Sequence, residues 1–226
     1  MSPEQLHNLY AYSSDVEQAI KKLEALLTKP TRSLIGLTGG PGSGKSTLAT
    51  YLSARMEELH PNQVVCLSMD GFHFPKQTLK QWPNATEAFA KRGAPWTFDC
   101  AAFMNKTRTL KALYQQQDTR WPSFDHQLGD PVDNDIRIPK EAKIILIEGL
   151  YLLHDKDGWQ GCADLLDQHW FLDTPLELAI EQLAKRHMKA WGFTHEQAMA
   201  RIQQSDSLNA HTVLASKSGA DWYLTV

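Results

Sequence analysis

The run Gly39-Gly40-Pro41-Gly42-Ser43-Gly44-Lys45-Ser46 constrains this chain more than any other stretch. It lies between a short apolar run, Leu34-Ile35-Gly36-Leu37, and a helix-compatible stretch from Lys45 to about Leu59. Glycine, four residues, glycine, lysine and serine, set between a strand and a helix, form the phosphate-binding P-loop pattern. The glycines let the backbone fold into a concave nest of N–H groups, and the following helix turns the positive end of its dipole toward the same anion. Lys45 is expected to reach the β and γ phosphates of a nucleotide, to face solvent and to contact phosphate alone. The Ser46 hydroxyl, followed by Thr47, is expected to ligate a magnesium ion that bridges those phosphates. Gly39 to Thr47 is therefore the expected nucleotide site, with ATP and Mg2+ as its occupants.

Further apolar runs suit buried strands: Val64-Val65-Cys66-Leu67, Ile144-Ile145-Leu146-Ile147 and Trp170-Phe171-Leu172, with a short β-prone tail from Trp222 to Val226. Helical patterns lie between them. Strands alternating with helices predict a three-layer α/β fold, a mainly parallel five-stranded sheet covered on both faces. Val16, Ala19, Ile20, Leu23, Leu26 and Leu27 recur at helical spacing and stop before Pro30, which predicts one N-terminal helix over 3–29. Two stretches, Gly71 to about Ala94 and Trp121 to Pro139, lack lasting periodicity and are expected to be long irregular segments, which in a compact domain are more often functional than accidental.

A chain of 226 residues, 42% hydrophobic, buries a sizeable core and is expected to fold as a single domain, 1–226. Its 23 basic and 26 acidic residues leave a net charge of -3, so the basic excess of a nucleic-acid binder is missing. Cys66, Cys100 and Cys162 show no C-x-x-C spacing, so neither a disulfide framework nor a zinc cage is suggested, and a reducing cytoplasm is expected. No window approaches the length of a membrane span, and no apolar leader follows a basic start. The expected partners are ATP and a small-molecule hydroxyl acceptor, without nucleic acid or membrane, and association as a homodimer is left open.

A P-loop alone does not separate a kinase from a GTPase or a motor ATPase, which differ in what stands opposite the γ-phosphate. Ser68-Met69-Asp70-Gly71 closes the second apolar run, which puts Asp70 at a strand's carboxyl end, where ligands collect in open α/β sheets. It is a candidate base, with a turn-forming Asp before Gly as the bland alternative. Glu148 follows the third run in the same topological position and can hold magnesium or its water shell.

Five ordered motifs carry a resemblance: GGPGSGKST at 39 to 47, SMDGFH at 68 to 73, KRGAPWTFD at 91 to 99, PSFDH at 122 to 126 and IEGLYLL at 147 to 153. The chain resembles the uridine kinase, phosphoribulokinase and bacterial pantothenate kinase superfamily, especially its little-characterised branch of sugar or fructose-transport-associated kinases. The resemblance implies that Asp70 is the general base for the substrate hydroxyl. It further implies that Asp99 and His126 contact the acceptor, and that Arg186, with Lys189 and Lys185 nearby, belongs to a basic lid near 185–200 that closes on the phosphates. Lys45, Asp70 and Arg186 thus form the expected catalytic set. The nucleoside pocket of uridine kinases is not reproduced at Gly93 to Asp99. Asp99 as a helix N-cap and His126 as a structural histidine remain open alternatives, and Phe72, Phe74, Trp82, Trp96 and Trp121 suit either a pocket or a core. The expected reaction is ATP plus an alcohol giving ADP and a phosphate ester. The rivals are a nucleoside monophosphate kinase, which needs arginines around its acceptor, and a regulatory nucleotide-binding ATPase.

Overall fold

The computed structural model describes residues 3–125 and 127–226. Two helices, α1 (Pro3–Tyr10) and α2 (Ser14–Leu26), stand where one was expected. The break falls at Ser13, whose hydroxyl accepts the Val16 N–H and caps α2, an arrangement that ends one helix and begins another.

The core is a five-stranded sheet built from β1 (Ser33–Thr38) and β2 (Val64–Ser68), which flank α3 (Lys45–Leu59), together with three later strands. Between β2 and those strands run α4 (Lys76–Leu79), α5 (Ala85–Ala90), α6 (Cys100–Ala112) and a two-stranded antiparallel hairpin, β3 (Thr119–Asp125) with β4 (Asp130–Ile138). The hairpin corrects the expectation of an irregular segment at Trp121 to Pro139. Pro122 and Pro131 interrupt it and its register shifts between Trp121 and Ser123, so the alternation that marks a strand in sequence is lost. The chain then forms β5 (Ile144–Gly149), β6 (Gln168–Leu172), α7 (Leu176–Trp191), α8 (His195–Arg201), a π-helical turn Ile202–Asp206, α9 (Ser207–Ala215) and β7 (Trp222–Leu224).

The sheet order is β2-β5-β1-β6-β7, with every pairing parallel. Successive side chains alternate between its faces. Ile35, Leu37, Ile144, Leu146, Trp170 and Leu172 pack under α2 and α3, while Leu34, Ile145, Ile147 and Phe171 pack against α6, Trp121, Trp159 and Val213. Helices on both faces make the expected three-layer α/β arrangement. β1 and β5 are buried along their whole length, so the polar residues at their carboxyl ends are held on a rigid base. Leu183, Ala184, Ala198 and Ile202 form a separate small core between α7, α8 and the π-helical turn.

Candidate active site

The loop from β1 to α3 is shaped by two glycines. Gly44 caps α3 with φ of 94° and no side-chain hydrogen bond, leaving the first N–H groups of the helix to the loop's interior. Gly42 has φ of +77°, and a Cβ there would stand 2.2 Å from the Ala179 carbonyl oxygen, so α7 lies directly on the loop. Thr174, just before α7, donates its hydroxyl to the Ser43 carbonyl at 2.8 Å. The Ser43 hydroxyl itself is buried with no hydrogen-bond partner.

Lys45 does not face solvent. It is 8% exposed, and its ammonium donates to the Gly40 carbonyl at 3.2 Å. The first turn of α3 folds it under the loop, where burial lowers its pKa; Glu148 and Asp70 act in the opposite direction, and Arg186 adds to the lowering. Glu148 is paired in register with Leu37 on one side and Ser68 on the other, so it stands on β5 between the carboxyl ends of β1 and β2. It is 7% exposed. Burial raises its pKa, Lys45 opposes this, Asp70 adds to it, and the nearby hydroxyls of Ser68 and Ser46 favour the carboxylate. Lys45, Asp70, Glu148 and Arg186 thus act on one another at the carboxyl edge of the sheet, and Ser46 reaches the same point.

Asp70 is not the residue that makes its turn. Ser68 does so, its hydroxyl accepting the Asp70 backbone N–H at 3.1 Å. The half-buried Asp70 carboxylate takes part in no hydrogen bond among the described residues. Beside the loop, a cavity of about 150 Å³ opens between Gly40, Pro41, Asp173, Leu176 and Leu214.

The phosphoribulokinase / uridine kinase family pattern matches residues 34–225. The chain belongs to that family. A protein of Schizosaccharomyces pombe provisionally named a uridine kinase is 36% identical over 198 residues, spanning 87% of this chain and 84% of its own. A crystal structure from Silicibacter sp. TM1040, provisionally named a fructose transport system kinase, is 30% identical with a TM-score of 0.81, over 92% of this chain and 98% of that one. YFH7 of Saccharomyces cerevisiae shares the fold, with a TM-score of 0.78 at 20% identity over 94% of this chain and 98% of its own. As a member of the family the chain is an ATP-dependent phosphotransferase that acts on an alcohol group of a small metabolite.

Within this family member, the remaining expected residues fall differently. Asp99 caps α6, its carboxylate accepting the Ala102 N–H at 2.8 Å. His126 lies outside the described residues. Arg186 is exposed on α7, and Lys185 is occupied by Glu181 in an exposed pair. Phe72 and Trp121 are core, edge-on to each other at 4.8 Å. Phe74, Trp82 and Trp96 form a half-buried chain of rings on the loops. Sequence reasoning gave no role to Tyr151, inside the IEGLYLL motif. Its hydroxyl donates to the Gly93 carbonyl at 2.6 Å, and burial, aided by Asp70 and Asp206, pushes its pKa up. A tyrosine in an otherwise apolar buried run was the available signal, since its hydroxyl must find a partner.

Proposed function

We propose that the chain transfers the γ-phosphoryl group of ATP to a hydroxyl of a small metabolite, with Asp70 as the base. The observation that carries this reading is the state of Asp70: a carboxylate at the carboxyl end of β2, relieved of capping by Ser68, unbonded among the described residues and within electrostatic range of Lys45. A positioned carboxylate of this kind accepts or orients the acceptor's proton as the oxygen attacks. Loop and first-turn N–H groups between Gly39 and Thr47, Pro41 excepted, and the Lys45 ammonium, swung from Gly40 to phosphate, would neutralise the γ-phosphate, and Arg186 would cover it from α7. The cavity beside Pro41 and Leu176 gives room for the rest of the nucleotide.

The donor set suits magnesium. Glu148 is a carboxylate made costly by burial, Ser46 supplies a hydroxyl beside it, and the unpartnered Ser43 hydroxyl adds a polar atom to the same cradle. Ser46, and Glu148 directly or through water, would hold the ion, which would offset the negative charge of the phosphates. A nucleoside monophosphate acceptor is disfavoured, because Arg92, on the loop before α6, is already bound to Gly129, Phe74 and Asp130. No helix among the described residues is long and apolar enough to cross a membrane, and the three unpaired thiols support a reducing cytoplasm.

The test is acceptor-dependent ADP release with saturating ATP and Mg2+ across sugars, nucleosides, glycerate and pantothenate. One chemical class is expected to raise ADP release well above the acceptor-free rate. Release that stays flat across every acceptor would instead favour a protein in which nucleotide occupancy is the signal.

A further inference from the structure

A polar side chain that none of the family motifs above contains is buried close to the Asp70 side of the site. Asn209, on α9, is 5% exposed, and its amide makes no hydrogen bond among the described residues. An amide has two donors and an acceptor, and although the residue is largely buried its amide atoms are not among the buried polar atoms that lack a partner, so the amide group is left open to the site and to whatever hydrogen-bonding group enters it. Its surroundings show where it is aimed. The Asn209 amide nitrogen stands 3.5 Å from the place a Cβ on Gly93 would occupy. The carbonyl of Gly93 takes the Tyr151 hydroxyl; the Tyr151 ring lies 5.6 Å from that of Phe98, Phe98 lies 3.9 Å from the His73 ring, and His73 Nδ1 stands 2.9 Å from the Asp70 carbonyl oxygen. Asp206 lies three residues before Asn209 on the same helical face and accepts from, or donates charge to, His187 at 2.9 Å. Val213, one turn further on, packs in the same core cluster as Tyr151. One face of α9 therefore brings Asn209 to the point where the Gly93 turn and Tyr151 meet, on the side from which Asp70 acts.

Resting on the kinase reading above, we propose that the Asn209 amide binds the phosphoryl acceptor across the site from Asp70, and that it selects an acceptor carrying an uncharged hydroxyl at that end. A hydroxyl can donate to the amide oxygen and accept from the amide nitrogen, so it satisfies both. A carboxylate or phosphate there would meet Asp206 and Asp70 instead. Three cations on this side are held, Arg92 by Asp130 and two carbonyls, Arg201 by the Ala90 carbonyl and His187 by Asp206, while Arg186, exposed on α7, is assigned to the phosphates. Discrimination of this kind, between a paired and an unpaired buried polar group, is the strong form of substrate selection.

The experiment uses the full chain, ATP and Mg2+, with neutral probes (D-fructose, D-ribose, glycerol, uridine) set against anionic ones (D-glycerate, pantothenate, fructose 6-phosphate). The parent is expected to turn over a neutral probe best. Asn209→Ala is expected to raise the KM of that probe roughly 5- to 150-fold, the equivalent of about 1–3 kcal/mol for one lost partner, with the KM for ATP and the melting temperature near the parent's. Asn209→Asp keeps the volume but loses the donor and adds a third carboxylate, so it should raise the same KM; it decides the matter if the alanine variant does not fold. An anionic probe preferred by the parent overturns the inference while leaving the kinase reading in place. So does an acceptor KM that neither variant moves, which would make Asn209 a structural amide. Flat ADP release from the parent with every probe removes the kinase reading itself, and the inference with it.

Discussion

Asp70→Asn separates the two roles open to this residue because they differ in what happens to stability. As the base, Asp70 loses its ability to accept a proton when it becomes an amide, and turnover should fall about 100- to 10,000-fold. The stability change follows from the charges around it. Two unit charges about 6 Å apart interact by roughly 3 kcal/mol at an effective dielectric of about 20. Asp70 is repelled by Glu148 and attracted by Lys45. The substitution removes one interaction of each sign, so the two changes offset and the net effect should lie within about 1 kcal/mol of zero. No hydrogen bond is lost with the carboxylate, because Ser68 caps the turn. Urea melts of parent and variant give the stability difference, a nucleotide titration gives ATP affinity, and ADP release with a saturating acceptor gives turnover. Turnover within about tenfold of the parent, set against the range for a positioned base, would refute the assignment. A loss of more than about 2 kcal/mol in the melts would show that Asp70 holds the turn after all.

Two further outcomes are expected. Lys45→Ala should weaken ATP binding about 10- to 150-fold, the loss of a charged hydrogen bond of about 1.5–3 kcal/mol, as measured by equilibrium dialysis; unchanged affinity would remove the P-loop assignment. Asp99→Ala should cost about 1 kcal/mol through the lost cap on α6 and lower the melting temperature by about 2–4 °C, with acceptor KM unchanged. A raised acceptor KM at an unchanged melting temperature would return Asp99 to the acceptor pocket.

The parallel sheet was legible because its strands are short apolar runs, and a strand buried on both faces needs nothing else. The ends of β1, β2 and β5 were equally legible, since the P-loop fixes which strand is central and Asp70 and Glu148 follow directly from their neighbours. What the sequence hid depends on contacts between distant segments or on local chemistry that breaks a pattern. Ser13 splits the N-terminal helix with one hydroxyl. The hairpin of β3 and β4 was masked by its prolines and its shifted register. The burial of Lys45, and its charge interaction with Glu148 103 positions later in the chain's numbering, exist only once the sheet is assembled. Asp99 satisfied the motif and the cap at once, and spacing cannot rank those roles. Asn209 carries no motif at all; its place emerges from the Gly93 turn and Tyr151, which reach it from two other parts of the chain.

The helix α7 ties these parts together. Its first turns rest on the phosphate loop, through the Ala179 carbonyl over Gly42 and the Thr174 hydroxyl on Ser43. Two turns further on it carries Arg186, whose charge Lys45 senses, and beside it His187, which is buried and bound to Asp206. Asp206 closes the π-helical turn that leads into α9 and Asn209. A π-helical turn widens the backbone and is often retained where it re-aims a side chain; here it sets the register that places Asp206 and Asn209 on one face. The small core of Leu183, Ala184, Ala198 and Ile202 joins α7 to α8 apart from the two main clusters, so this unit has less burial to resist local rearrangement than the sheet beneath it. On the proposed reading, a shift of α7 that brings Arg186 toward a γ-phosphate would pull on Asp206 through His187, and so on the wall that holds Asn209. Under the proposed reading, phosphate closure and acceptor fit would be coupled through this arrangement, and closure would keep water from taking the acceptor's place.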